Sequence, residues 1–256
     1  MEEARIDFLS KIGRSYAKLE EEGIFSPVVA VECKYMQPTT FSDAVDIISF
    51  KVVEDAMNIF LLRHGETDWN QAGRLQGHMD IPLNQNGRLQ IGHAAQILAD
   101  LYPDIDLVIT SPLKRARESA EIVSDRLAYE KTDIIVEPLL IERGFGEGEG
   151  LTIAERREKY PDDIYPGMES LNDLLKRARS AFERIVLSFA DKENILVAAH
   201  GAILYAMVTA ITDGQIAYGG ETFKFDPGSL HLIRYINGTI EVAEYSEEKS
   251  EFWDWF

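Results

Sequence analysis

Met57-Asn58-Ile59-Phe60-Leu61-Leu62-Arg63-His64-Gly65-Glu66-Thr67 is the stretch whose reading decides the fold. From Met57 to Leu62 it is apolar except for Asn58, as expected of a strand buried on both faces. It then ends on Arg-His-Gly. Open α/β sheets bind ligands beyond the carboxyl ends of their strands, so a guanidinium and an imidazole placed there read as parts of a site. Gly65 lets the backbone turn sharply and approach an anion. The stretch predicts a phosphate-handling site with His64 as nucleophile.

The rest of the chain alternates between short apolar runs and helical patterns. Leu107-Val108-Ile109, Ile134-Ile135-Val136 and Ile195-Leu196-Val197-Ala198-Ala199 read as buried strands. Leu171, Leu174, Leu175, Ala178, Phe182, Ile185, Val186 and Phe189 carry a helical apolar period. Two further helices are expected over 87–100 and after Pro112, with the proline in the first turn. Residues 230–236 and 239–243 flank Asn237-Gly238, a hairpin signal. The glycine-rich stretch Gly144 to Gly150 reads as a structured loop. This alternation predicts a three-layer α/β/α fold with a mostly parallel central sheet.

Composition narrows the function. The formal net charge is −18 and the pI is near 4.7. That balance opposes nucleic-acid and anionic-membrane binding, and an anionic substrate must be held by a local cationic pocket against the global field. No apolar run approaches the length of a membrane span. Cys33 is the single cysteine, which excludes an intrachain disulfide and fits a reducing, cytoplasmic compartment. The N-terminal residues lack the basic start and apolar middle of a signal peptide.

Phosphoryl transfer to a side chain needs a neutral imidazole nitrogen aimed at phosphorus. It also needs cations on the non-bridging oxygens and an acid for the leaving oxygen. Candidates recur at the predicted strand ends: Arg63 and His64, then Arg115 near a helix start, Glu142 after an apolar stretch, and His200-Gly201 at a further helix start. Helix N-termini at that sheet edge add partial positive charge. His78, His93 and His231 lack such context and read as structural or solvated. Arg74, Arg88 and Arg143 could widen the basic funnel, and Arg117 reads as surface.

These pieces together resemble the histidine phosphatase superfamily, in the branch that contains cofactor-dependent phosphoglycerate mutases and related phosphatases. The matching segments are Leu62-Arg63-His64-Gly65-Glu66-Thr67 with Trp69-Asn70, Leu75-Gln76-Gly77, Asp80-Ile81-Pro82-Leu83, Ser111-Pro112-Leu113-Lys114-Arg115-Ala116, Glu142-Arg143-Gly144-Phe145-Gly146 with Glu149-Gly150, and Ala199-His200-Gly201. They cover residues 57–243 in order. The resemblance implies that His64 becomes a phosphohistidine. It implies that Arg63, Arg115 and His200 bind the phosphoryl oxygens, and that Glu142 protonates the leaving alcohol and later takes a proton from water. Asn70, Gln76, Gly77 and Gly201 would line the same pocket. No metal or other cofactor is implied, because these side chains supply the charge. The substrate would be a small phosphorylated metabolite.

Hydrolysis is the expected reaction. The mutases resembled here carry a lysine three residues after the glycine of the segment following the acid, and Ile153 stands there in this chain. Pro166-Gly167-Met168-Glu169-Ser170 and Gln76-Gly77 look like the phosphatases, whereas Glu142-Arg143 looks like the mutases. Phosphoryl transfer between hydroxyls of a phosphoglycerate therefore stays as the alternative. A non-catalytic phosphate-binding or regulatory module is a further one.

Three regions are expected: 1–56, 57–246 and 247–256. In the first, Ile6, Leu9, Ile12, Tyr16 and Leu19 give a helical stripe that Gly23 would stop, and Val29, Val31, Cys33 and Tyr35 alternate like a half-buried strand. Another strand is expected over 46–53. This small α+β extension resembles a partial hotdog-fold acyl-CoA thioesterase that lacks the catalytic aspartate segment, so no thioesterase activity is expected of it. In the last region, Phe252, Trp253, Trp255 and Phe256 are too apolar to stay fully solvated. Two readings stand: docking on the chain's own surface, or a homodimer contact or lid.

Overall fold

A computed structural model describes residues 56–220, 223–236, 239–246 and 251–254, with the backbone of 30–31 and 50–51. Contacts divide the chain into two units, Met1–Ala56 with Ile236–Thr239, and Met57–Tyr235 with Ile240–Phe256. The described part of the N-terminal segment is one antiparallel pairing, Ala30 with Lys51 and Val31 with Phe50. The helix expected there, and the rest of the hotdog-like fragment, lie outside the described residues.

The main sheet has seven strands: β1 (Met57–Arg63), β2 (Leu107–Thr110), β3 (Ile135–Val136), β4 (Asn194–Ala199), β5 (Leu230–Ile236), β6 (Thr239–Ser246) and β7 (Glu251–Asp254). Their order is β3-β2-β4-β1-β5-β6-β7. β3, β2, β4 and β1 run parallel to one another, while β5 is antiparallel to β1 and β7 to β6. The sheet is thus mixed, and its parallel half carries the strand ends that bear Arg63, His64 and His200.

Among the described residues six helices accompany it: α1 (Asp68–Gln71), α2 (Gln85–Leu101), α3 (Lys114–Leu127), α4 (Ile153–Lys159), α5 (Leu171–Ser188) and α6 (Gly201–Ile211). The pleat of β1 shows why two layers of helix are needed. Phe60 and Leu62 share one core with Ile91, Ala94 and Leu98 of α2 and Ala120 and Val123 of α3. Ile59 and Leu61 point to the opposite face and are equally buried. On that second face α5 packs against α6, and Phe182 of α5 meets the Tyr235 ring of β5 at 6.3 Å. Every strand residue of β2 is buried, as a two-faced strand requires.

Local chemistry fixes the helix starts. Asn84 caps α2 by accepting from the Gly87 N–H at 2.8 Å, and Ser170 caps α5. The helix after Pro112 begins at Lys114 with Leu113 as its N-cap, so the proline lies before the first turn and not in it. Thr152 and Glu155 form a capping box that opens α4, a helix without an apolar pattern to announce it. Gly65 serves packing: a Cβ there would lie 2.3 Å from the Gly87 carbonyl oxygen, so the loop after β1 seats directly on the first turn of α2.

The aromatic tail is an edge strand. β7 pairs with β6, and the Phe252 ring lies 5.9 Å from Phe60, 6.0 Å from Tyr102 and 5.6 Å from Tyr245. For Phe252 this is docking on the chain's own surface; the Trp253 side chain, Trp255 and Phe256 lie outside what is described. No helix among the described residues is long and apolar enough to cross a membrane.

Candidate active site

Strand register builds the site. In the parallel pair β1–β4, Arg63 lies opposite Ala199, so His64 and His200 are the first residues past two adjacent strands. In β2–β4, Thr110 lies opposite Ala198, which puts Ser111 at the same level. The backbone continues the ladder there: His64 N–H donates to the Ala199 carbonyl and Ser111 N–H to the Ala198 carbonyl, both at 3.0 Å.

His64 is 2% exposed. Its Nδ1 lies 2.7 Å from the Gly65 carbonyl oxygen, which can only accept. Nδ1 therefore carries the proton and Nε2 presents a lone pair. Arg115 Nε, whose N–H can only donate, lies 3.2 Å from that Nε2 and 3.1 Å from Nδ1 of His200. Burial, then the charges of Arg115 and Arg63, hold His64 well below the usual imidazole range, against the pull of the Gly65 carbonyl. His200 is held low by burial first and then by Arg115, His64, Arg63 and His78. Both rings are neutral at physiological pH.

The guanidinium groups are fixed by backbone carbonyls. Arg115, fully buried, donates from Nη1 to Met79 O at 2.7 Å and from Nη2 to Gly77 O at 2.9 Å. Burial lowers it to about 10, with Glu142 and Asp80 opposing, so it keeps its charge at neutral pH. Arg63 donates from Nη1 to the Phe225 carbonyl, while its buried Nε has no hydrogen-bond partner among the described residues. Gly201 leaves room for this side chain, since a Cβ would come 3.3 Å from the Arg63 Cζ.

Glu142 faces the same space. Its Oε1 accepts from Arg143 N at 2.9 Å and Ile203 N at 3.1 Å, and its Oε2 from Ala202 N at 3.3 Å. Two of these donors are first-turn N–H groups of α6, which have no intrahelical partner. Asn70 both caps and lines: its Oδ1 accepts from Thr67 N at 3.1 Å, which leaves the amide nitrogen for the cavity. The Gln76 carbonyl oxygen likewise accepts from the Thr67 hydroxyl at 3.0 Å. Gly77 adopts φ +53°, and a Cβ on it would fall 2.0 Å from Glu149 Oε1. That same Oε1 accepts from His78 N and Phe145 N, both at 3.0 Å, so Glu149 pins the turn whose carbonyls hold Arg115.

The cavity measures about 430 Å³. Arg63, His64, Asn70, Gln76, Gly77, Arg115, Glu142 and Gly201 all line it. His200 stands behind Arg115, fully buried, with its ring centroid 5.2 Å from that of His64. Of the other basic residues, Arg74 lines the mouth, Arg88 pairs with Glu118, Arg143 grips the Glu169 carbonyl, and Arg117 is exposed. His78 Nε2 bonds to the Glu142 carbonyl at 2.8 Å, and His231 is buried in β5 against Phe225.

The far wall comprises Phe145, Tyr205, Tyr218, Lys224, Phe225 and Asp226. Apart from Phe145, which stands in the Glu142–Gly146 segment, it comes from the structure. Tyr205 has a sequence signal, because it follows Gly201 by four residues and so shares a face of α6 with it. Lys224 to Asp226 carry no local signal. They reach the site only because β5 pairs beside β1. Chemically, the arrangement offers an unprotonated imidazole nitrogen, which among the described residues accepts only from Arg115, with two guanidinium groups and a carboxyl group around one small cavity.

Comparisons with known proteins identify the family. The model of the histidine phosphatase superfamily (branch 1) matches residues 59–248. An uncharacterized phosphatase, PhoE, from Bacillus subtilis is 37% identical over 191 residues, covering 75% of this chain and 90% of its own. A metal-independent phosphoserine phosphatase from Arabidopsis thaliana is 32% identical, covering 71% of this chain and 79% of its own. Among solved structures, YhfR from Bacillus stearothermophilus superposes with a TM-score of 0.65 at 28% identity, covering 73% of this chain and 96% of that one.

Proposed function

The chain belongs to the histidine phosphatase superfamily, branch 1, and from that premise we propose that it hydrolyses a small phosphomonoester without a metal, through a phosphohistidine at His64. One observation carries the reading: His64 Nε2 is unprotonated and faces a cavity walled by Arg63 and Arg115. Nε2 attacks phosphorus while the guanidinium groups take the charge of the non-bridging oxygens. The P–O bond to the alcohol breaks, and Glu142 gives its proton to the departing oxygen. Water then attacks the phosphohistidine, Glu142 takes that proton back, and inorganic phosphate leaves.

Supporting observations bear on substrate and reaction type. A cavity of about 430 Å³ suits a small ester. Arg63 and Arg115 offer in fixed form the positive charge that a metal ion would bring, and one relative is named as a metal-independent phosphatase. Ile153, at the position of the mutases' lysine, opens α4 half-exposed and uncharged. Arg156 is committed to Tyr165 and Asp163. With fewer cations to retain a carboxylate-bearing intermediate, water competes better for the phosphohistidine. A cytoplasmic setting, from the lone Cys33, completes the reading.

The test is phosphate release from a panel of phosphomonoesters in excess chelator, including p-nitrophenyl phosphate, phosphoserine and 3-phosphoglycerate. Release that survives chelation and disappears in His64→Ala is the expected result. Isomerisation of 3-phosphoglycerate without phosphate release would replace hydrolysis by mutase chemistry.

A further inference from the structure

Ser111 is fully buried at the end of β2 and takes no part in the bond-making and bond-breaking steps of hydrolysis. Its Oγ lies 2.6 Å from Nε2 of His200, and the Leu113 N–H approaches the same oxygen at 3.4 Å. On the other side of the ring, Nδ1 of His200 accepts from Arg115 Nε. An arginine N–H cannot accept, so the ring proton of His200 sits on Nε2 and Ser111 Oγ accepts it. A single Arg115 N–H is therefore shared by two imidazole lone pairs, one on each histidine.

That sharing cannot survive arrival of a phosphoryl group. If phosphorus takes the His64 Nε2 lone pair and its oxygens draw the Arg115 Nε–H away from His200, which stands behind Arg115, an equatorial oxygen would come beside the freed lone pair on His200 Nδ1. Two lone pairs face to face repel unless Nδ1 carries a proton. A phosphomonoester has its second pKa near 6, so it can bring one. The groups around the ring are Arg115 of α3, Arg63 and His64 of β1 and its loop, and His78 of the following turn. All of these oppose a positive charge until the phosphoryl monoanion arrives and becomes a dianion as it gives its proton to the ring.

We propose that Ser111 is the positioning residue of His200. Its Oγ is the fixed acceptor of Nε2–H, which keeps Nδ1 turned toward the phosphoryl group and lets that nitrogen take the proton the group brings. The proton moves from a P–OH oxygen to Nδ1; Nε2 keeps its own, and Ser111 accepts from it in both states. A hydroxyl suits this task. Held without charge, it stabilises the imidazolium less than a carboxylate would, so the ring remains neutral in the empty site. This inference rests on the phosphoryl-binding reading of the cavity.

The experiment is ¹⁵N NMR of ring-labelled wild-type protein, empty and saturated with inorganic phosphate. In the empty protein His200 should show one protonated and one bare nitrogen, with the proton on Nε2. With phosphate both nitrogens should be protonated, and the Nε2 proton should stay hydrogen-bonded. A His200 that remains neutral with phosphate bound overturns the proposal. If phosphate shifts no cavity resonance at all, the phosphoryl-binding reading fails instead. In Ser111→Ala the charged form should be lost, with kcat/KM down about ten- to a hundredfold, as for a hydrogen bond to a charged group. Unchanged kcat/KM with His200 still doubly protonated would also overturn it. Should Ser111→Ala not fold, the wild-type spectra decide alone.

Discussion

Glu142→Gln separates chemistry from architecture. In the folded protein Oε1 holds the Arg143 and Ile203 N–H groups at 2.9 and 3.1 Å, and Oε2 holds the Ala202 N–H at 3.3 Å. Glutamine keeps its carbonyl oxygen on the first two and turns an NH2 toward the third. One long hydrogen bond is lost, which costs about 1 kcal/mol of stability. The chemical loss is far larger, because general acid catalysis contributes about 10²–10⁴-fold. It falls unequally on substrates. An alkyl phosphate must be protonated as it leaves, whereas p-nitrophenolate departs nearly unaided. The assay is kcat/KM, which reports steps up to the first irreversible one and so excludes turnover of the phosphohistidine. For an alkyl phosphate kcat/KM should fall by about 10²–10⁴, and for p-nitrophenyl phosphate by less than about tenfold. Equal losses on both would refute Glu142 as the acid. A loss of stability well above 1 kcal/mol would refute the hydrogen-bond account of its seating.

Three further outcomes are expected. Arg115→Lys cannot reach Met79 O, Gly77 O and both imidazoles with one ammonium, so kcat/KM should fall by about 10²–10³ on every substrate, aryl esters included; a loss under threefold would contradict the geometry. His231 is buried and held at about 3, mainly by burial, while the unfolded chain titrates it near 6.5. The unfolded state thus binds more protons below pH 6.5, so stability falls by roughly 1.4 kcal/mol per pH unit as pH drops from there toward 3. His231→Phe, beside Phe223 and Phe225, should remove one proton from that slope in urea titrations at pH 4 to 6, and an unchanged slope would argue against a neutral His231. Truncation after Ser246 removes β7 and the Phe252 contacts with Phe60, Tyr102 and Tyr245. It should cost about 1–2 kcal/mol and leave kcat unchanged, whereas lost activity in a folded truncation would point to a lid.

The parallel half of the fold is legible in the sequence, because a two-faced strand cannot avoid a continuous apolar run. β1, β2 and β4 stand out for that reason, and so does α5 with its apolar period. Residues at or just past the ends of such strands, namely Arg63, His64, Ser111 and His200, inherit their position, which is why a site can be drafted without coordinates. Legibility declines where tertiary context takes over. The run at 134–136 pairs over two residues only, and the apolar stretch before Glu142 is a 3₁₀ turn at Pro138–Leu140, shaped by its proline. α4 is announced by a capping box and not by apolar period, since none of its residues is buried. Lys224, Phe225 and Asp226 join the site through strand pairing more than 160 residues away from Arg63, and no local pattern encodes that. Ser111 stands in the motif that leads to Arg115, yet only the 2.6 Å contact with His200 gives it a task.

Hydrolysis by this route depends on His64 Nε2 forming the covalent intermediate. Rapid quenching of the enzyme with a phosphomonoester, followed by peptide mapping under alkaline conditions, tests it directly. An acid-labile phosphoryl group is expected on the peptide containing His64, formed in chelator, accumulating with Glu142→Gln on p-nitrophenyl phosphate and missing in His64→Ala. Phosphate released at full rate by His64→Ala, or a phosphoryl group found on another residue, would contradict it.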